Sequence, residues 1–142
     1  MKGCSTGCSY TGKCIVLDTG AFLTAFVTET PFISFTTPSV INEIKDNLSK
    51  RILEMSLAAK KVSVLEVDNN YRQEVVKIAK NMGLNKKLSA VDVEVLALSY
   101  CLKKESGEVY IATDDYAMQK VAVTLGVKVI KIKYPGIREL KS

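Results

Sequence analysis

EVYIATDDYAMQKVAVTLGVKVIKI, residues 108–132, is the stretch that decides the fold. It begins after Gly107 with an apolar run at 108–112, short enough and rich enough in Val, Tyr and Ile to be a strand. Acidic Asp114 and Asp115 follow, and then a helical pattern over 115–125 that Gly126 stops. A second apolar run at 127–132 closes the unit as a strand. Strand, helix and strand in succession predict a βαβ unit, with parallel strands and a right-handed crossover.

The same alternation extends toward the N-terminus. KCIVLD at 13–18 is nearly continuous in apolar side chains and ends on a polar one, as a central parallel strand does. A helix is expected at 20–27, broken by Pro31, and another opens at 36–39, with Thr37 as N-cap and Pro38 at its first position. Val40, Ile41, Ile44 and Leu48 would share one face of that helix, which is expected to continue through 50–60. A strand at 62–67, a helix at 69–82 ended by Gly83, and a helix at 89–104 opened by Ser89 complete the series. The expected class is α/β, with three layers (α/β/α) around a central parallel sheet. The 142 residues suit a single core. Its domain is expected over 13–134, with a flexible N-terminal tail at 1–12 and a C-terminal tail at 135–142.

Composition excludes several chemistries. The chain has no histidine, which removes histidine acid–base catalysis, Ser–His–Asp and Cys–His nucleophiles, and histidine-ligated zinc. Cys4, Cys8 and Cys14 lack a C-x-x-C spacing and make a poor zinc site, while Cys101 falls inside an apolar helical pattern and reads as core. In a reducing cytosol a disulfide among Cys4, Cys8 and Cys14 would be unusual. Apolar runs are too short to span a bilayer, and 5–12 is too polar for a signal peptide, so a cytoplasmic protein with no membrane partner is expected. A net charge of +5 with a pI near 9.0 suits a polyanionic partner.

Ligands of an open parallel sheet bind where strands end and helices begin. Asp18 ends the first strand, Asp114 and Asp115 follow the strand at 108–112, Asp92 lies in the first turn after Ser89, and Glu43 in the second turn after Pro38. Each has a local explanation as well. Asp18 and Asp114 can cap helices, Asp92 can complete a capping box with Ser89, and Glu43 can be a solvated helix position. Their coincidence is the stronger signal. Carboxylates gathered in one cleft repel unless a cation joins them, and hard Mg²⁺ or Mn²⁺ prefers oxygen ligands.

Four stretches resemble the motifs of the PIN-domain ribonucleases: VLDTGAFL at 16–23, TTPSVINEIKD at 36–46, LSAVDVEVLALSYCLKK at 88–104 and IATDDYAMQKVAVTLGVKV at 111–129. Their wording is most similar to the ribosome-assembly branch of that family, which cuts the 3′ end of small-subunit ribosomal RNA. The resemblance implies a PIN-like fold and hydrolysis of single-stranded RNA by a Mg²⁺- or Mn²⁺-dependent endoribonuclease. Asp18, Glu43, Asp92 and Asp115 would be the catalytic metal ligands and Asp114 a further one, with the choice between Asp114 and Asp115 left open. Thr19 and Thr113 would orient them. The branch usually continues into a zinc ribbon, which is lacking in these 142 residues, and Gly20 stands where serine or alanine is common.

Lys45, Lys50, Arg51, Lys86 and Lys87 are candidates to hold RNA phosphates, and Tyr116 to stack a base. The expected partner is single-stranded RNA, with small-subunit pre-rRNA or a pre-ribosome as its source, and PIN domains often form homodimers. The main alternative is the PIN ribonuclease toxin of a toxin–antitoxin pair, held by a protein inhibitor. A receiver-like signalling domain is a remote alternative, because Asp18 lacks an acidic neighbour and Lys133-Tyr134-Pro135 only approximates the terminal lysine that fold needs. A catalytically silent RNA-binding scaffold is disfavoured, since unneeded clustered carboxylates would destabilise the fold.

Overall fold

The structure, a computed structural model, describes residues 13–24, 26–30, 32–132 and 138–140. Its centre is β1 (Lys13–Leu17), where Cys14 to Leu17 are completely buried. Beside it on one edge run β2 (Ser34–Thr36) and then β3 (Val62–Val64); on the other run β4 (Glu108–Ala112), β5 (Lys128–Lys131) and β6 (Arg138–Leu140). The first five strands are parallel, and β6 pairs antiparallel with β5. Three residues of the expected C-terminal tail thus extend the sheet. The expected N-terminal tail, 1–12, lies outside the described residues.

Helices flank this sheet in the expected α/β/α arrangement. They are α1 (Phe26–Glu29), α2 (Pro38–Glu43), α3 (Asn47–Ala58), α4 (Asn69–Asn81), α5 (Ala90–Ser106) and α6 (Tyr116–Thr124). In the middle of α5, Val95 to Leu98, Cys101 and Leu102 are fully buried against the sheet and its neighbours. Each fully buried leucine contributes about 1.5–3 kcal/mol of transfer free energy, so α5 and β1 anchor the core.

Sequence signals end two helices as expected. Gly126 (φ 86°) and Gly83 (φ 72°) adopt the left-handed region, which costs glycine nothing. After α6, Gly126 N–H donates to Val123 O (3.0 Å) and Val127 N–H to Ala122 O (2.9 Å), the paired bonds of a Schellman cap.

Three local expectations need correction. The helix at 20–27 is a 3-10 turn, Thr19–Phe22, followed by short α1. The helix through 44–60 is interrupted at Ile44, and Asp46 caps a separate α3 by accepting from Ser49 N–H at 2.9 Å. That break turns Leu48 outward, 63% exposed, instead of continuing the Val40–Ile44 face. Strand β2 was not expected at all: three residues carry too little periodicity to stand out.

The cysteine expectation is also revised. Cys14 and Cys101 are buried as core residues, but both are disulfide-bonded. The sequence reading weighed a bridge only among Cys4, Cys8 and Cys14, on compartment grounds, and the fold decides which sulfurs meet.

Topology fixes where a ligand can sit. From β1 the chain steps outward through β2 and β3, then crosses back to β4 on the other flank. The carboxyl ends of β1 and β4 therefore flank the point where strand order reverses, the crevice favoured for ligands in open α/β sheets. Leu17 is level with Ala112 in the β1–β4 register, so the residues that follow them, Asp18 and Thr113, emerge side by side.

Candidate active site

Asp18 leaves β1 in extended conformation and caps the 3-10 turn behind it. One carboxylate oxygen accepts from Thr19 N–H (2.8 Å) and the other from the Thr113 hydroxyl (3.0 Å). Thr113 is itself fixed: its hydroxyl accepts from Asp115 N–H (3.1 Å), and its carbonyl accepts from the buried Gln119 amide (3.0 Å). A single threonine thus ties the end of β1 to the turn after β4.

Asp115 is the N-cap of α6, accepting from Met118 N–H at 3.1 Å. Asp92 forms a complete capping box: it accepts from Ser89 N–H (2.9 Å), and its own N–H donates to the Ser89 hydroxyl (3.1 Å). Glu43, in the last turn of α2, accepts from the Thr19 hydroxyl at 2.5 Å. In each case the bond that caps a helix or crosses between elements also fixes where the carboxylate stands.

These four groups face one another electrostatically. Burial is the largest influence on Asp18; the Thr19 and Thr113 hydrogen bonds oppose it, and the charges of Asp92 and Asp115 add to it. The outcome is a pKa pushed up to about 6 from 3.8. Asp92 is also held above its ordinary value, first by burial and then by the charges of Asp115 and Glu43, despite the Ser89 hydrogen bonds.

Asp114 stands apart. Its carboxylate accepts from Ile132 N–H at 2.9 Å and pins the chain just past β5. The local explanation offered for it also moves by one residue, because Asp115 and not Asp114 caps α6. Only Asp115 of the two has a shifted neighbour in the cluster.

The basic candidates are exposed and lie on three elements. Lys45 follows Glu43 closely, Lys86 and Lys87 end the 3-10 turn Asn85–Lys87 just before Ser89, and Lys50 and Arg51 lie on α3. The break before α3 takes the last two off the helix that carries Glu43. Tyr116 is 68% exposed beside Asp115, with Lys120 Nζ 5.0 Å from its ring centre.

Sequence reading missed one polar group entirely. Glu94 is buried (8% exposed), accepts from the Ser39 hydroxyl, and pairs with Arg72 at 2.7 Å. Burial raises its pKa, but the Ser39 and Arg72 bonds and the Arg72 charge outweigh this and hold it low. The available signal was an acid inside the apolar run Val93–Leu98.

The donor set is oxygen throughout and strongly anionic, which fits a hard divalent cation. Among the described residues no three acidic or cysteine side chains form a ready-made metal cage. Burial is the main cause of the raised Asp18 pKa, and the nearby charges of Asp92 and Asp115 add to it. Among the described residues no helix is long and apolar enough to cross a membrane.

Residues 15–102 match the family profile for the PIN domain of ribonuclease. The chain is 36% identical over 137 residues to Ribonuclease VapC3 of Aeropyrum pernix, covering 96% of this chain and 99% of that protein. It is 37% identical over 126 residues to Endoribonuclease Nob1 of Pyrococcus abyssi, covering 89% of this chain and 72% of that protein. With Endoribonuclease Nob1 of Methanothermobacter thermautotrophicus it shares 32% identity over 127 residues, 89% of this chain and 73% of that protein. These matches displace the receiver-like alternative.

Proposed function

This chain belongs to the PIN-domain family of ribonucleases, and from that premise we propose that it is an endoribonuclease whose carboxylates hold magnesium or manganese. The observation that supports the metal assignment is the gathering of Asp18, Asp92, Asp115 and Glu43: burial first, and then the charges of Asp92 and Asp115, push the Asp18 pKa up to about 6, and the charges of Asp115 and Glu43 reach Asp92. Asp18, Glu43, Asp92 and Asp115 would hold the ion; Asp114, whose carboxylate accepts from Ile132 N–H and which is not among the charges acting on Asp18 or Asp92, would serve the fold. When bound, such an ion supplies water activation, neutralisation of the phosphodiester and stabilisation of the departing oxygen.

The chain's own groups do the rest. Thr113 holds Asp18 and the Asp115 backbone in one register, while Thr19 holds Glu43 against the end of β1. Lys45, Lys86 and Lys87 bracket the cluster in sequence and would seat RNA phosphates without reading bases. Lys50, Arg51 and Tyr116 extend that surface. The reaction is hydrolysis: water oxygen bonds to phosphorus, the P–O3′ bond breaks, and the products carry 5′-phosphate and 3′-hydroxyl ends.

As substrate we infer small-subunit pre-rRNA in a cytosolic setting, from the wording of TTPSVINEIKD and TDDYAMQKVA and the identity to the Nob1 endoribonucleases. The 36% identity to Ribonuclease VapC3 favours a second reading, a toxin-type ribonuclease held by a protein inhibitor. One assay tests the core of the proposal. Single-stranded RNA should be cut in manganese or magnesium, and EDTA, Asp18→Asn or Asp92→Asn should abolish cutting with the fold retained. Robust cutting in EDTA rejects it. Mapped ends separate the two substrates: a cut at the 3′ end of small-subunit rRNA supports the first, and cuts in transfer RNA support the second.

A further inference from the structure

Behind the carboxylates lies a cavity of about 610 Å³, walled by α4 and α5 and reached by Ser39 of α2. We propose that it is a base-binding subsite, receiving one nucleobase of the RNA beside the cleaved phosphate. The inference rests on the ribonuclease reading and deepens it.

Location is the first argument. Ser39 is one helical turn from Glu43, and positions i and i+4 share a helix face. Ala90, Val91 and Val93 line the cavity and bracket Asp92 on α5. A group seated there is therefore one helical turn from Glu43 and one residue along α5 from Asp92.

Chemistry is the second. Val76, Val91 and Val93 provide apolar walls, as the faces of a base require. Two charged side chains line it, Glu94 and Arg72, and they pair with each other at 2.7 Å, with Glu94 also accepting from the Ser39 hydroxyl. A balanced pair attracts neither a phosphate nor a free cation, so the occupant should be neutral. At the rim, Asn69 and Gln73 stand one turn apart on α4 and are exposed, each with an amide that both donates and accepts. Apolar faces with polar edges describe a nucleobase, and the volume falls within the ~300–1,000 Å³ usual for small-ligand sites.

Continuity is the third. Gln73 and Val76 are shared with a neighbouring hollow that carries Lys77 and Lys80. A base seated in the cavity would leave its sugar-phosphate backbone free to reach Lys77 and Lys80 in that hollow, which Glu74 also lines.

The test uses the whole chain and the four nucleoside 5′-monophosphates as probes, read by methyl NMR at Val76, Val91 and Val93. One base class should shift these methyls selectively. Val76→Phe, which fills the cavity from its exposed rim, and Gln73→Ala should each weaken that binding about tenfold. In parallel, RNAs randomised around the cut should show a preference of about tenfold at one position, which both variants flatten. No methyl shift with any of the four nucleotides overturns the subsite, whether or not the chain cuts RNA. A base preference that survives Val76→Phe overturns it too, as would shifts produced only by an added protein. Selective nucleotide binding without RNA cleavage would instead keep the subsite and reject the nuclease.

Discussion

Ionised Asp18 sits mostly out of water with Asp92 and Asp115 facing it, so without a cation its charge works against the fold. Its folded pKa of about 6 exceeds its ordinary 3.8. In the metal-free protein the folded state therefore binds protons more tightly than the unfolded chain, and stability from this group is greatest below about pH 4. It declines as pH rises toward 6 and is flat above, a loss of at most about 2–3 kcal/mol. In EDTA at pH 7.5, Asp18→Asn should therefore melt above the native chain while cleaving nothing, and manganese should raise the melting temperature of the native chain only. A variant that melts lower in EDTA would contradict the assignment. The paired aspartates separate as cleanly. Asp115→Asn keeps a good N-cap, so it should fold normally and lose cleavage by about a hundredfold or more. Asp114→Ala should cut within a few-fold of native but lose about 1–2 kcal/mol, because Ile132 N–H loses its acceptor. Loss of cleavage in a folded Asp114→Ala would reverse the two roles. Sequence singled out Asp18, Glu43, Asp92 and the 114–115 pair as candidates because each stands at a helix end or strand end. It could not say which of Asp114 and Asp115 caps α6, since that turns on which carboxylate reaches Met118 N–H. Nor could it find Glu94 and Arg72, whose pairing exists only once α4 lies on α5.

Elements with strong punctuation were legible. The strand at 108–112 and the stops at Gly83 and Gly126 follow the sequence directly, because an apolar run and a left-handed glycine act locally. Where punctuation was weak, tertiary structure intervened, as in three-residue β2 and in the break that makes α3 a separate helix. The end of α3 shows what a missing signal costs. Lys60 takes the left-handed position (φ 61°) of a cap in which Lys60 N–H reaches Leu57 O and Lys61 N–H reaches Ser56 O. A side chain there is strained by roughly 1 kcal/mol, so Lys60→Gly should raise stability by up to that amount and leave cleavage unchanged. Thermal melts would check it, and a lower melting temperature would mean that α3 ends differently in solution.

At the scale of the molecule, α/β alternation alone was enough to anticipate a parallel sheet with an acidic crevice at its carboxyl edge. Strand order was not legible, since nothing local says that β4 docks on β1. The excess of positive charge belongs to this scale as well: with a net +5, RNA affinity should fall steeply and linearly on a log–log plot against salt. A flat response would argue against a phosphate-led interface. The β1–β4 pairing has one more consequence. Asp18 and Thr113 touch across 95 residues of chain, and Asp115 comes later still. During synthesis the ribosome must therefore release the chain through residue 115 before the cluster can assemble, and a nascent fragment ending before β4 lacks two of its members, Thr113 and Asp115. The cluster is thus a late product of synthesis, complete only once both β1 and β4 have left the ribosome.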